Sequence, residues 1–406
     1  MATTKGAIGI LTGGGDVPGL NPAIRAVALR AFHEGRRVIG IRRGWAGLVD
    51  TVRDKKADNS NNVIELTEDE VMRSGRTGGT MLHTSRTNPG KVKASAVPPH
   101  LKDKYTAQTN DLTSEVLANL DFLGIDALVP IGGDDTLSYA VHIYKQGFHT
   151  VAIPKTMDND VAGTDYCIGF STCVTRTIAL ANSLRTVAGS HERFLVLEVF
   201  GRYAGFSALL PTMAGAADRC LIPEYKFNIE QVTDLLSADR MKNPSRYSIV
   251  LVSEGAAFEG GEMVFEGSAT DAYGHPKLGG IGDAVANALK SLSPKYNNGR
   301  TIEITSQALG YIVRAGDPDA MDYIVPMAYG NLAMDLIMRG EFGRMVCVKN
   351  GRYDHAPMDV ITSYRKVVDV EQLYDTQRYR PKYSNFYQKP EFIMTMDGVM
   401  REGERD

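Results

Sequence analysis

The sequence predicts an α/β protein made of two doubly wound, Rossmann-like domains, each a three-layer αβα sandwich, facing each other across a cleft. Three observations carry that prediction. Short apolar runs that read as buried parallel strands alternate with helical stretches in both halves of the chain. At 406 residues the chain is too long for one compact core, and two domains are the natural division. Finally, Ile131–Val161 holds two acidic clusters, Gly132-Gly133-Asp134-Asp135-Thr136 and Pro154-Lys155-Thr156-Met157-Asp158-Asn159-Asp160. Each follows an apolar run, Ala127–Ile131 or Thr150–Ile153, and Leu137–Gln146 between them has helical spacing. Both clusters then sit at strand carboxyl ends, where open α/β sheets place ligands.

Taken in order, Gly6–Leu11 reads as a strand and Thr12–Gly19 as a glycine-rich turn. Asn21 looks like the N-cap of a helix Pro22–Glu34, with Pro22 at its first position. A strand, a glycine turn and a helix N-terminus make an anion cradle, although a tight turn without a ligand has the same pattern. The run has no GxGxxG register, so it is not a dinucleotide fingerprint. Arg37–Arg42 is a second strand, and the polar stretch Asp54–Asn62 a surface loop. Gly75–Gly79 is glycine-rich, and Thr80–Arg86 follows it with several hydroxyls. Lys91–Gln108 is polar and interrupted by prolines, which reads as an irregular excursion with no assignable role. Asp111–Leu123 resumes as helix. In the second half, helices at Val174–Val187, Ile229–Asp239 and Ile281–Leu292 alternate with strands at Phe194–Val199, Arg219–Ile222 and Ser248–Ser253. Ala320–Arg339 is a long helix, and Met345–Lys349 a strand returning to the first domain. The aromatic-rich tail from Tyr364 reads as packing, with its last few residues fraying.

Composition excludes several classes. Lys+Arg 45 against Asp+Glu 48 gives −3, so no global field favours nucleic acid or an anionic membrane surface. The longest apolar runs, such as Ala7–Leu11, are far too short to span a bilayer. Met1–Lys5 leads almost directly into a strand, with no secretory apolar region. The four cysteines show no CxxC spacing and read as reduced core thiols. The eight histidines lack metal-ligand spacing, so no zinc is expected. The expectation is a soluble cytoplasmic protein.

The opening stretch carries the chemistry. Four carboxylates (Asp134, Asp135, Asp158, Asp160) and Lys155 converge on one small volume if the βαβ reading holds, a group suited to Mg²⁺, phosphate and a proton acceptor. The plain alternatives are a helix N-cap for Asp135 and a surface ion pair for Lys155. For Arg86, taken alone, and for Arg193 the plain alternative is a solvated charge, and for Glu254 a helix-start charge.

Five motifs in register, Thr12–Gly19, Gly132–Asp135, Thr156–Asp160, Phe200–Arg202 and Gly310–Arg314, resemble the phosphofructokinase family over roughly Ile8 to Ile337. The resemblance is greatest to members that use pyrophosphate rather than ATP. It implies two facing α/β domains and Mg²⁺-dependent phosphoryl transfer to the 1-hydroxyl of fructose 6-phosphate. By this resemblance Gly15 offers its backbone N–H to a donor phosphate, with Arg86 on the donor side, and Asp134 holds Mg²⁺. Asp158 is the proton acceptor, hydrogen-bonded by Thr156, and Asp160 orients the waters of Mg²⁺. Arg202 stabilises charge on the transferring group. Met157, Phe200 and Gly201 lie along the substrate, Glu254 accepts sugar hydroxyls, and Arg193, Tyr311 and Arg314 hold the 6-phosphate. Counterparts of Arg193 and Tyr311 reach the substrate across a subunit interface in the family, implying a homodimer or homotetramer with shared sites.

The resemblance also bears on the donor. ATP-using relatives have glycines where this chain has Asp135 and Lys155. The Asp135 carboxylate occupies space a nucleotide needs and repels a third phosphate, while Lys155 adds compensating positive charge. One departure stands out: a family arginine six residues before Tyr311 falls on Thr305. Trp45, on the adenine side in ATP users, reads as packing. The implied division is a donor domain of 1–168 plus about 316–362, and a sugar-phosphate domain of 169–315 plus about 363–406. Two other readings stay open: an ATP-dependent phosphofructokinase, and a non-catalytic sugar-phosphate sensor on the same fold.

Overall fold

The computed structural model describes residues 6–270, 276–384 and 386–387. Met1–Lys5 and the final residues expected to fray lie outside the described residues. The chain forms two compact units. One comprises Met1–Thr156, Val161–Gly169 and Ala315–Arg365, and the other Met157–Asp160, Phe170–Arg314 and Lys366–Asp406.

The first unit is a seven-stranded sheet in the order Arg352–Pro357, Arg344–Lys349, Val151–Pro154, Ile125–Gly132, Ala7–Thr12, Val38–Ile41, Val63–Glu65. Its five central strands are parallel, and the strand at each edge is antiparallel. Parallel strands with both faces covered are apolar on both sides, and every residue of Ala7–Thr12 and Val151–Pro154 is buried. Ala320–Arg339 packs on Leu20–His33. The long helix is capped by Asp319, whose side chain accepts from the Asp322 N–H, a bond ordinarily worth about 1 kcal/mol.

The second unit has a four-stranded parallel sheet, in the order Ile304–Ala308, Phe194–Val199, Ser248–Ser253, Arg219–Leu221. The helices Phe170–Ser190, Phe206–Met213, Ile229–Lys242 and Ile281–Leu292 alternate with these strands. All four cysteines are buried free thiols. No described helix is long and apolar enough to cross a membrane.

One local expectation is corrected, one alternative is excluded, and the irregular excursion gains a structure. The first helix starts at Leu20 with Gly19 as its N-cap, so Asn21 is not the cap. Instead the Asn21 side chain ties down the glycine-rich loop, donating to the Thr77 and Gly78 carbonyls (both 3.2 Å) and accepting from the Met81 N–H (2.7 Å). The helix after Gly132 starts at Asp134, capped by Gly133, so Asp135 lies in the first turn and is not an N-cap. The 91–108 excursion is irregular, as expected, but packed. Val92–Lys93 pairs antiparallel with Thr109–Asn110, and Val92, Val97 and Leu101 join the core around Trp45 and Tyr139. Its apolar residues are anchors set in turns, which leave no helical or strand period to read.

Candidate active site

In the first unit the site grows from the end of Ala7–Thr12. Gly14 has φ +81, a conformation open to glycine at no steric cost, and this folds the turn back onto Thr84–Ser85. Its N–H donates to the Ser85 carbonyl (3.0 Å) and its carbonyl accepts from Thr84 Oγ1 (2.7 Å). Lys155 leaves Val151–Pro154 with its N–H on the Gly132 carbonyl (2.9 Å) and its Nζ on the Gly15 carbonyl (2.6 Å). Only 4% of Lys155 is exposed. A Cβ at Gly14 would lie 3.2 Å from that Nζ, so the turn and the ammonium are in close contact. Lys155 is thus not a surface charge: it is a buried cation held against the glycine turn.

Asp134 and Asp135 occupy the first turn of Asp134–Lys145, the former half-buried and the latter exposed. The positive end of that helix favours both carboxylates. Arg86 is exposed and follows Ser85, the residue bonded to the glycine turn. Trp45 is packing, as expected: it is buried, donates from Nε1 to the Thr136 carbonyl (3.2 Å) and meets Tyr139 edge-on at 4.7 Å.

The Thr156 N–H donates to the Ile168 carbonyl (3.1 Å), and the chain then passes through Met157–Asp160. Asn159, fully buried, has φ +56. Asparagine tolerates this left-handed geometry better than most residues, and here it separates Asp158 from Asp160. Burial pushes the Asp158 carboxyl well above the usual aspartate range, and the neighbouring Asp160 and Glu254 push it further. The Arg202 charge and its backbone N–H, which donates to Asp158, oppose that rise. Asp158 therefore feels two other carboxylates, Asp160 and Glu254, and one guanidinium, Arg202, all within the second unit.

A second cluster in this unit gathers residues expected at the sugar phosphate. The Arg314 guanidinium lies 4.5 Å from the centre of the Tyr311 ring and 5.8 Å from that of Phe200, and the two rings meet edge-on at 6.5 Å. Tyr311 is 70% exposed, suiting a residue offered to a ligand or a second subunit. Gly201 joins Phe200 to Arg202, and its carbonyl accepts from the Gly255 N–H (3.1 Å) beside Glu254. The side chain of Arg193 turns to Thr305, with Nη1 and Oγ1 3.5 Å apart, so the position lacking the family arginine is met by another arginine.

Sequence reasoning missed Asn159, and it missed Glu224 and Lys366, both buried. Asparagine within an acidic motif was the one available signal. No group of three His, Cys, Asp or Glu side chains suited to a metal occurs among the described residues. Mg²⁺ ordinarily asks less of a protein, one or two carboxylates plus phosphate oxygens and water, and Asp134 is an oxygen donor of that kind.

Comparison with known proteins identifies the family. The description Phosphofructokinase matches residues 7–337. The chain belongs to the phosphofructokinase family. A relative named pyrophosphate–fructose 6-phosphate 1-phosphotransferase, from Amycolatopsis mediterranei (strain S699), is 37% identical over 91% of this chain and 98% of its own length. Within the same family, an ATP-dependent 6-phosphofructokinase 3 from Streptomyces coelicolor is 34% identical over 89% of this chain and 96% of its own. The phosphofructokinase fold is also that of a solved structure of pyrophosphate-dependent phosphofructokinase from Nitrosospira multiformis, with TM-score 0.72 at 17% identity over 94% of this chain and 89% of that one.

Proposed function

We propose that this enzyme transfers a phosphoryl group reversibly from pyrophosphate to the 1-hydroxyl of fructose 6-phosphate, giving fructose 1,6-bisphosphate and phosphate. One observation carries the choice of donor: Lys155 is buried against the glycine turn, with Asp135 in the first turn of the adjoining helix. The ammonium supplies charge suited to a compact, highly charged donor, and the exposed Asp135 carboxylate opposes a longer polyphosphate.

The roles follow from the residues. In the donor unit Gly15 and Lys155 bind pyrophosphate, with Arg86 beside them. Asp134 holds Mg²⁺, which when bound neutralises charge on the phosphate oxygens. In the sugar unit Asp158 removes the proton from the 1-hydroxyl as its oxygen attacks phosphorus, and the bond to the departing phosphate breaks. Thr156 and Asp160 orient this segment. Arg202 stabilises the charge on the phosphoryl group in flight, where positioned cations contribute most. Met157, Phe200, Gly201 and Glu254 hold the sugar, and Arg193, Tyr311 and Arg314 its 6-phosphate. The exposed Tyr311 is compatible with a homodimer or homotetramer with shared sites, and the reading places the enzyme in the cytoplasm.

ATP as donor is the second reading, since relatives named ATP-dependent are 34–37% identical. The reverse reaction separates the two. The enzyme given fructose 1,6-bisphosphate, Mg²⁺ and inorganic phosphate forms pyrophosphate; formation of ATP from ADP, with no reaction of phosphate, would overturn the proposal.

A further inference from the structure

Glu224 is buried, 8% exposed, and takes no part in the reaction as described above. It follows the strand Arg219–Leu221, and its carboxylate is aimed at two backbone segments. The Gly205 N–H donates to both oxygens, at 3.0 Å to Oε1 and 3.2 Å to Oε2. The Val368 N–H donates to Oε1 at 2.7 Å. Gly205 closes the loop that begins at Phe200 and carries Arg202. Val368 lies two residues beyond Lys366, whose N–H donates to the Asp160 carbonyl (3.2 Å) and whose Nζ sits 5.3 Å from the Phe206 ring centre. One buried carboxylate thus ties the loop of the guanidinium to the strand of chain that holds the Met157–Asp160 segment. All of these residues belong to the second unit.

The approach is close. A Cβ at Gly205 would lie 3.0 Å from Glu224 Oε2 and 2.4 Å from Ile222 Cβ, so any side chain there forces the loop away from the carboxylate. A buried charge that accepts several N–H bonds is well satisfied, and such charge-assisted bonds are the strong ones. They hold backbone, which cannot adjust by changing rotamer.

We propose that Glu224 is a positioning residue for phosphoryl transfer, holding Arg202 through Gly205 and the Asp158–Asp160 segment through Val368 and Lys366. This rests on the reading of Asp158 as base and Arg202 as the stabilising cation. Misplacement of reacting groups by about 1 Å costs on the order of 10²-fold in rate, while substrate contacts made by other residues persist. Loss of Glu224 therefore acts on kcat rather than on KM.

The test uses the full-length enzyme and two variants. Glu224→Gln keeps the side-chain shape but replaces one accepting oxygen with a donor facing an N–H. Gly205→Ala displaces the same loop from the other side, at a backbone φ of −86 that alanine accepts. Both are expected to lower kcat about tenfold or more while KM for fructose 6-phosphate stays within about twofold. Folding is checked by circular dichroism, with kcat expressed per folded molecule. If Gly205→Ala does not fold, Glu224→Gln decides alone. A folded Glu224→Gln enzyme with wild-type kcat overturns the proposal, as does a rise in KM with kcat unchanged. Asp158→Asn is assayed alongside: retained turnover there defeats the base assignment, whatever Glu224→Gln does.

Discussion

Lys155 Nζ donates to the Gly15 carbonyl at 2.6 Å, with 4% of the lysine exposed. A strand end and a glycine turn 140 residues apart in sequence are joined by one buried cation. Such a charge is costly in a dry setting and favourable beside a bound anion, so it is legible as part of a donor site. Replacing it by Lys155→Met is expected to lower kcat/KM for pyrophosphate by about 10²-fold or more, with fructose 6-phosphate affinity little changed. Steady-state kinetics with each substrate varied checks this.

In the proposed function Asp135 acts in the opposite sense, as a charge against a longer donor. The double variant Asp135→Gly with Lys155→Gly is expected to lose pyrophosphate activity and to admit ATP. Initial rates with both donors measure the shift; unaltered pyrophosphate kinetics would count against both residues.

Asp158 supplies a pH prediction. Its carboxyl titrates above the usual aspartate range through burial first and the nearby Asp160 and Glu254 second, so the acid limb of kcat/KM falls above the ordinary value of 3.8. Asp158→Asn is expected to lose about 10²–10⁴-fold in kcat while binding fructose 6-phosphate nearly normally. Stability runs the other way. A carboxyl raised in the folded state favours folding only while protonated, so its contribution is lost as pH rises through the folded value. Asp158→Asn therefore melts higher than wild type at neutral pH, and the difference vanishes below the unfolded value. Thermal melts from pH 3 upwards, about the range where aspartate titrates, show whether it does.

Glu115 anchors the 91–108 excursion. It is 2% exposed and accepts from Arg53 (2.6 Å), Tyr105 Oη (3.0 Å) and Lys104. Burial works against its charge, but the bonds from Lys104, Arg53 and Tyr105 outweigh it and bring the carboxyl from 4.5 to about 2. This lowered carboxyl contributes stability above the unfolded value, and that contribution is lost as pH falls towards 2. Glu115→Gln is expected to cost about 1–3 kcal/mol at neutral pH and to flatten the acid side of the stability curve. Denaturant melts at several pH values read both effects.

Arg314 stands against Tyr311 and Phe200 at the expected phosphate end of the sugar. Arg314→Leu is expected to raise KM for fructose 6-phosphate by about tenfold or more, with a smaller change in kcat. Initial rates across a range of sugar phosphate give both constants.

Much of the fold was legible because parallel strands covered on both faces leave unbroken apolar runs. Phe194–Val199 and Ser248–Ser253 have the same limits in sequence and in structure. What escaped notice has physical causes. Gly19 begins its helix from a left-handed conformation that leaves no side-chain signal, and Asn21 beside it resembled a cap. Val92, Val97 and Leu101 are core residues set in a two-residue strand and in turns, without a period. Within the candidate site the acidic motifs were visible because they follow strands directly. Glu224 was not, because its partner N–H groups lie 19 and 144 residues away and carry no side-chain signature.

The identity of the phosphoryl donor is the claim on which the rest depends. Initial rates of fructose 6-phosphate phosphorylation are to be measured side by side with pyrophosphate and with ATP, each with Mg²⁺. The expected result is turnover with pyrophosphate and little or none with ATP; turnover with ATP and none with pyrophosphate would contradict it.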